Sequence, residues 1–177
     1  MRQKEKLIFL CGMMGSGKTT IGKVLAEKLA LPFSDLDDEI VKREQALIPE
    51  IFSKHGEEYF RERERRTLEE LSRLPAGVVA LGGGALQNRE ITEGLKQQGR
   101  LIFLDAPISV LLSRLQNDKS RPLLNRTGQE SPAEKLQRLY RERRPRYAQA
   151  HITIRIGTES PAEIAEAILV RLKDYER

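Results

Sequence analysis

The chain runs to 177 residues, a length that suits one domain with a sizeable core. Its 31 basic and 26 acidic residues leave a net charge of +5, spread along the sequence with no basic tail and no Trp, so a nucleic-acid partner is not expected. No apolar stretch approaches the ~18 residues of a membrane span, and a lone cysteine, Cys11, excludes an internal disulfide and suits a reducing compartment.

Met1-Arg2-Gln3-Lys4-Glu5-Lys6 is charged and leads into Leu7-Ile8-Phe9-Leu10-Cys11, which reads as a short buried strand and not a signal-peptide core; a cytoplasmic location is expected. Cys11 reads as a small core residue. Gly12-Met13-Met14-Gly15-Ser16-Gly17-Lys18-Thr19 fits G-x-x-x-x-G-K-[ST], and Thr20 to Ala30 reads as an amphipathic helix with Ile21, Val24, Leu25, Lys28 and Leu29 on one stripe. Strand, glycine loop and helix are the context a phosphate-binding loop requires. Its glycines let successive N–H groups turn inward around phosphate oxygens, and the helix N-terminus adds partial positive charge. In such a loop Lys18 reaches the β- and γ-phosphates and the Thr19 hydroxyl ligates Mg²⁺, so the chain is expected to bind a nucleoside triphosphate.

Leu31 to Asp35 reads as a second strand, Asp37 to Glu44 as a helix, Pro49 to Lys54 as a helical turn, and Glu57 to Leu74 as a long charged helix. Val78-Val79-Ala80-Leu81 is a continuous apolar run, hence a fully buried strand, stopped by Gly82-Gly83-Gly84. A helix over Arg89 to Gln98 leads to a strand over Arg100 to Asp105, and Pro107 opens a helix to Leu115. The polar stretch Gln116 to Glu130 reads as a mobile loop, and Ser131-Pro132 opens a helix that continues past Tyr140. Ile152 to Ile156 alternates like an edge or final strand, and Ser160-Pro161 caps the last helix. Short strands alternating with helices, with no repeat or linker, indicate an α/β fold: a parallel sheet sandwiched by helices. His55 and His151 stand alone, without metal-ligand spacing, and receive no role.

In such a fold ligands bind at the carboxyl ends of the parallel strands. Asp35-Leu36-Asp37 offers one carboxylate to hold Mg²⁺ through water and another to accept from a substrate hydroxyl, although a helix N-cap explains an Asp there equally well. In Phe60-Arg61-Glu62-Arg63-Glu64, Arg63 reads as a solvated charge paired at helical spacing. Arg61, beside Phe60, can point to the core edge and grip a carboxylate in bidentate fashion. The Gly82 triplet implies close backbone approach to a ligand, or a tight turn. Arg121 lies in the polar loop, where a lid could carry it over the transferring phosphoryl group.

Taken together, these features resemble the shikimate kinase family over nearly the whole chain. The resemblance rests on Gly12 to Thr19, Asp35-Leu36-Asp37, the stretch Ile51 to Arg61, the Gly82 triplet, Arg121-Pro122-Leu123-Leu124, and R-x-P-x-Y at Arg143 to Tyr147. It implies a single domain over 1–177 of the P-loop kinase type, a three-layer α/β/α sandwich around a mostly five-stranded parallel sheet. A mobile lid over about 116–130 and acceptor-binding helices over about 37–74 would complete it. The implied reaction moves the ATP γ-phosphoryl group to the 3-hydroxyl of shikimate, on the route to aromatic amino acids. Gly12, Gly15, Ser16, Gly17, Lys18, Thr19 and Thr20 would hold ATP, with Arg114 and Pro161 beside the adenine. Thr19 and Asp35 would hold Mg²⁺. Lys18 and Arg121 would stabilise the phosphates, and Asp37 would orient the attacking oxygen. Arg61 and Arg143 would clamp the acceptor carboxylate, with the backbone of Gly82, Gly83 and Gly84 lining the pocket.

Three positions depart from the family pattern: Gln45, where relatives often have Gly; Leu81, where many have Thr; and Glu159, where some place an adenine-stacking Arg. A P-loop kinase for gluconate or a nucleoside monophosphate, and a non-catalytic ATP-binding module, are the alternative readings. A monomer acting on a small molecule, with neither nucleic acid nor membrane as partner, is expected.

Overall fold

The structure, a computed structural model, describes residues 7–86, 88–115 and 130–175. Five parallel strands form one sheet in the order β2-β3-β1-β4-β5: β1 (Leu7–Cys11), β2 (Phe33–Asp35), β3 (Gly77–Ala80), β4 (Arg100–Asp105) and β5 (Ile152–Arg155). Every residue of β1 and β3 is buried. Successive side chains of a strand point to opposite faces, so both faces of the sheet centre are covered, as the uninterrupted apolar runs require. The edge strand β5 alternates instead, with Ile152 and Ile154 buried and Thr153 and Arg155 exposed. The covering helices are α1 (Lys18–Leu29), α2 (Leu36–Glu44), α3 (Ile48–Leu71), α4 (Arg89–Gln98), α5 (Ile108–Leu115), α6 (Pro132–Tyr147) and α7 (Pro161–Tyr175). The result is the parallel sheet sandwiched by helices that the alternation of elements predicts, in the three-layer P-loop kinase form that the resemblance implies.

The local signals act as their chemistry dictates. Asn88 caps α4 by accepting the Ile91 N–H at 2.9 Å. Ser131 and Glu134 form a reciprocal capping box at the start of α6, and Ser160 and Glu163 exchange the same bonds at α7. Helix α1 begins at Lys18, two residues earlier than the apolar stripe suggests, because Gly17 itself serves as its N-cap. Lys28 leaves the expected buried stripe and pairs with Glu166 of α7 at 3.2 Å. Strand β2 is shorter than predicted: Leu31 and Pro32 precede it, and the Pro32 carbonyl accepts from Val78.

The turn expected over 49–54 and the long helix expected over 57–74 are the two helical pieces of α3, the second ending at Leu71, and they meet at a kink at Gly56, with φ 80° and ψ 177°. A Cβ there would meet nothing within 4 Å, so the glycine answers to backbone conformation and not to crowding. Arg63 finds its carboxylate on α2, bridging to Glu44 at 3.2 Å, while its guanidinium lies over the ring of Tyr59, one turn earlier on its own helix.

Candidate active site

Strand β1 lies between β3 and β4, so the chain leaves its carboxyl end at the point where the strand order changes direction. The loop that follows is shaped by Gly12, Gly15 and Gly17, at φ 144°, 79° and 92°. Gly12 is also sterically obligatory, since a Cβ on it would stand 2.7 Å from the Leu104 carbonyl oxygen. Lys18 folds back over the loop, its Nζ donating to the carbonyls of Gly12 at 3.0 Å and Met13 at 2.9 Å. Arg114, at the end of α5, donates to the Gly15 carbonyl at 3.3 Å, which places a second cation at the loop. The Ser16 hydroxyl is fully buried and has no hydrogen-bond partner among the described residues. Such an orphan is costly unless a ligand or water satisfies it. Thr20 is exposed on α1, and Pro161 opens α7 after the carboxyl end of β5.

Thr19 Oγ1 donates to Asp35 Oδ2 at 2.6 Å, while the other oxygen of Asp35 accepts the Asp37 N–H at 3.0 Å and caps α2. One carboxylate thus ties the phosphate loop to the helix that carries Asp37. Threonine hydroxyl and carboxylate are hard oxygen donors, the kind Mg²⁺ takes in ones and twos beside phosphates and water. Among the described residues no group of three or more His, Cys, Asp or Glu side chains is placed to hold a metal ion.

The second half of the site gathers on the glycine triplet. A Cβ on Gly82 would lie 2.8 Å from Asp37 Oδ1 and 3.0 Å from Glu64 Oε1; on Gly83, 3.1 Å from Arg143 Nη1; on Gly84, 2.7 Å from Arg61 Nη1. Each glycine therefore faces a different charged side chain, and none could carry a methyl group without displacing one. The acceptor residues inferred from sequence are brought together here from α2, α3, α6 and the β3 end. Arg61 is held by Glu64 at 2.8 Å through Nη1 and by Glu57 at 3.2 Å through Nη2. A cleft of about 410 Å³ opens beside Arg61 and Glu64, walled by Leu68, Ala85 and Ile91.

Two members of this cluster had no role in the sequence reading. Glu64 is 4% exposed, and burial pushes its carboxyl above the usual range, with Arg61 pulling it back. A signal for it existed: Phe60, Glu64, Thr67, Leu68 and Leu71 are all buried at helical spacing, so Glu64 sits on the apolar stripe of α3. Tyr147 is also buried; its hydroxyl donates to the Gly83 carbonyl and burial raises its pKa to about 12, against the nearby Arg143 charge. Cys11 lies in β1 under the loop, and burial raises its thiol to about 12 despite Lys18. Arg121 falls outside the described residues.

A family model described as shikimate kinase matches residues 14–173. The shikimate kinase of Sulfurihydrogenibium sp. (strain YO3AOP1) is 41% identical over 168 residues, spanning 95% of this chain and 98% of that protein. Among solved structures, a shikimate kinase from Acinetobacter baumannii in complex with shikimate superposes with a TM-score of 0.91 at 41% identity, covering 97% of this chain and 95% of its own. A gluconokinase from Sinorhizobium meliloti 1021 reaches a TM-score of 0.62 at 20% identity over 98% of this chain and 94% of its own, a likeness of fold alone.

Proposed function

The chain belongs to the shikimate kinase family, and from that premise we propose that it transfers the γ-phosphoryl group of ATP to the 3-hydroxyl of shikimate, in the route to aromatic amino acids. The observation that carries the reading is the meeting of Asp37, Arg61 and Arg143 on the Gly82 triplet, at the strand edge that also bears the phosphate loop. Two guanidinium groups and a carboxylate around bare backbone match an acceptor with a carboxylate at one end and hydroxyls at the other.

In this reading Lys18 exchanges the Gly12 and Met13 carbonyls for the β- and γ-phosphates, a swap of neutral acceptors for charged ones that favours the nucleotide. Backbone N–H groups of the loop and the α1 N-terminus hold the phosphate oxygens, with Ser16, Thr20, Arg114 and Pro161 completing the ATP side. Thr19, and Asp35 through water, would hold Mg²⁺, which would supply charge neutralisation at the phosphates. Asp37 accepts a hydrogen bond from the attacking hydroxyl and keeps it in line. Phosphoryl transfer passes through a loose transition state, so placement and charge carry more of the rate than a strong base would. Arg61 and Arg143 fix the acceptor carboxylate, with the backbone of Gly82, Gly83 and Gly84 lining the pocket. Arg121 and most of the lid assigned to 116–130 lie outside the described residues, and none of these steps depends on their position.

Among the described residues no helix is long and apolar enough to cross a membrane. Among the described residues the exposed large apolar side chains, Leu47, Leu74, Val170 and Tyr175, lie apart along the sequence. We therefore also propose a monomer, a single domain, in the cytoplasm. A coupled ADP-release assay with Mg·ATP and shikimate, gluconate or a nucleoside monophosphate as acceptor tests the activity. Turnover with shikimate alone is expected; turnover with another acceptor overturns the substrate, and ATP binding without turnover overturns the kinase.

A further inference from the structure

We propose that the buried Tyr147 hydroxyl is a positioning group that selects the orientation of the Gly83–Gly84 peptide and thereby aims the Gly84 N–H into the acceptor pocket. The inference rests on the acceptor reading above. The Ala85 N–H donates to the Gly82 carbonyl at 3.1 Å, closing a four-residue turn with Gly83 and Gly84 at its centre. Turns of this kind come in two forms related by a half-rotation of the central peptide: type I keeps φ negative at both central residues, and type II needs φ positive at the second. Neither glycine has positive φ, so the turn is on the type I side. Two consecutive glycines, however, make both forms accessible at little cost. The choice has to come from outside the turn.

Tyr147 provides it. Its hydroxyl donates to the Gly83 carbonyl, the oxygen that would swing away if the central peptide rotated. A trans peptide is planar with its C=O and N–H opposed, so a carbonyl pinned toward Tyr147 turns the Gly84 N–H to the far side. Gly84 borders Arg61, where an N–H can join the guanidinium on the same acceptor carboxylate. The tyrosine is itself immobilised: it is 1% exposed, its ring packs on Phe103 at 5.3 Å, and its hydroxyl lies 3.9 Å from Met13 Sδ of the phosphate loop. Arg143, one turn earlier on α6, meets Gly83. Helix α6 thus supplies one arginine of the clamp and also sets the peptide beside the other. With the phenol raised to about 12, the hydroxyl stays a donor throughout the working pH range.

Tyr147→Phe keeps the ring and deletes the donor, together with the oxygen that Arg143 also meets, so the Gly84 amide is read beside the KM. The expected result is a rise of about fivefold to tenfold in the shikimate KM, as for one lost hydrogen bond, with the ATP KM within about twofold of wild type. In the ligand-free, ¹⁵N-labelled protein the Gly84 amide resonance should broaden or double as both peptide orientations become populated. An unchanged Gly84 resonance, or an unchanged shikimate KM, overturns the inference. Because the amide is read without any acceptor, it judges the inference even where the wild-type assay shows that shikimate is not the substrate. Where the variant fails to fold, the wild-type hydroxyl proton decides, followed through the hydrogen–deuterium isotope shift on Tyr147 Cζ. Slow exchange with water supports the pin, and fast exchange overturns it.

Discussion

Gly84→Ala adds one methyl group next to the acceptor clamp, and its cost falls almost wholly on acceptor binding. The new Cβ would stand 2.7 Å from Arg61 Nη1 and 3.2 Å from Nη2. Comfortable contact is about 3.5 Å, so the guanidinium must retreat by roughly 0.8 Å. The obstacle is the tip of a long side chain, which can move toward exposed Glu57 at a stability cost of about 1 kcal/mol. For a chain of this size that lowers Tm by about 2–4 °C. The bond from Arg61 to an acceptor carboxylate is charge-assisted and worth about 1.5–3 kcal/mol, so the shikimate KM should rise about 10- to 100-fold with the ATP KM unchanged. Gly99→Ala is the matched control. There the Cβ would lie 2.3 Å from the Leu7 carbonyl oxygen, in backbone that cannot swing aside. Overpacking of about 1–3 kcal/mol should lower its Tm by about 3–10 °C while both KM values of the folded enzyme stay put. Thermal melts run beside initial-rate kinetics with each substrate varied separate the two outcomes. If Gly84→Ala melts as low as Gly99→Ala and binds shikimate normally, Arg61 is not the clamp.

Gln45 ends α2 in the left-handed region, at φ 51°, where an L side chain costs about 1–2 kcal/mol. Gln45→Gly should recover about 1 kcal/mol of that after the extra freedom of the unfolded chain, raising Tm by about 2–4 °C; a fall in Tm would show that the glutamine side chain earns its place. His151 Nδ1 accepts the Leu101 N–H at 3.0 Å, and burial, then the charges of Arg100 and Lys96 against the opposing Glu93, hold its pKa below 6.5. The unfolded chain therefore takes up the proton first: stability is full above about pH 6.5 and is lost as pH falls through the lower folded pKa. His151→Asn keeps an acceptor that does not titrate, so the drop in urea midpoint between about pH 7.5 and pH 5 should shrink, and an undiminished drop would refute the assignment.

Elements with hard chemical stops are the most legible in the sequence. Helix α4 runs from the Asn88 cap to Gly99, and β4 from Arg100 to Asp105, because a cap, a glycine and a change of period mark each boundary. The start of α1 is less so, since Gly17, Lys18 and Thr19 belong to a loop motif and to a helix at once. The phosphate loop and the Gly82 triplet announce themselves through glycine, which has few other reasons to cluster. Glu64 does not stand out in the sequence, because an acidic residue within Arg61-Glu62-Arg63-Glu64-Arg65-Arg66 reads as one more solvated helix charge. What separates buried Glu64 from half-exposed Glu62 is the helical spacing that puts Glu64 in line with Phe60, Thr67, Leu68 and Leu71. Arg63 meets Tyr59 at the expected helical spacing, but its carboxylate partner, Glu44, lies on a different helix and is not legible from the run.

Cys11 has a practical consequence for following the molecule in solution. A thiol that is 1% exposed, with a pKa near 12, presents roughly one thiolate in 10⁵ at neutral pH and almost no access for a reagent. The natural chain is therefore already a silent background for maleimide labelling, and no cysteine has to be removed first. Cysteines placed at Leu47, where α2 hands over to α3, and at Val170 on α7 would replace exposed apolar side chains and carry a fluorophore pair. The distance between the dyes would then report directly whether the acceptor helices travel relative to the rest of the sandwich as each substrate arrives.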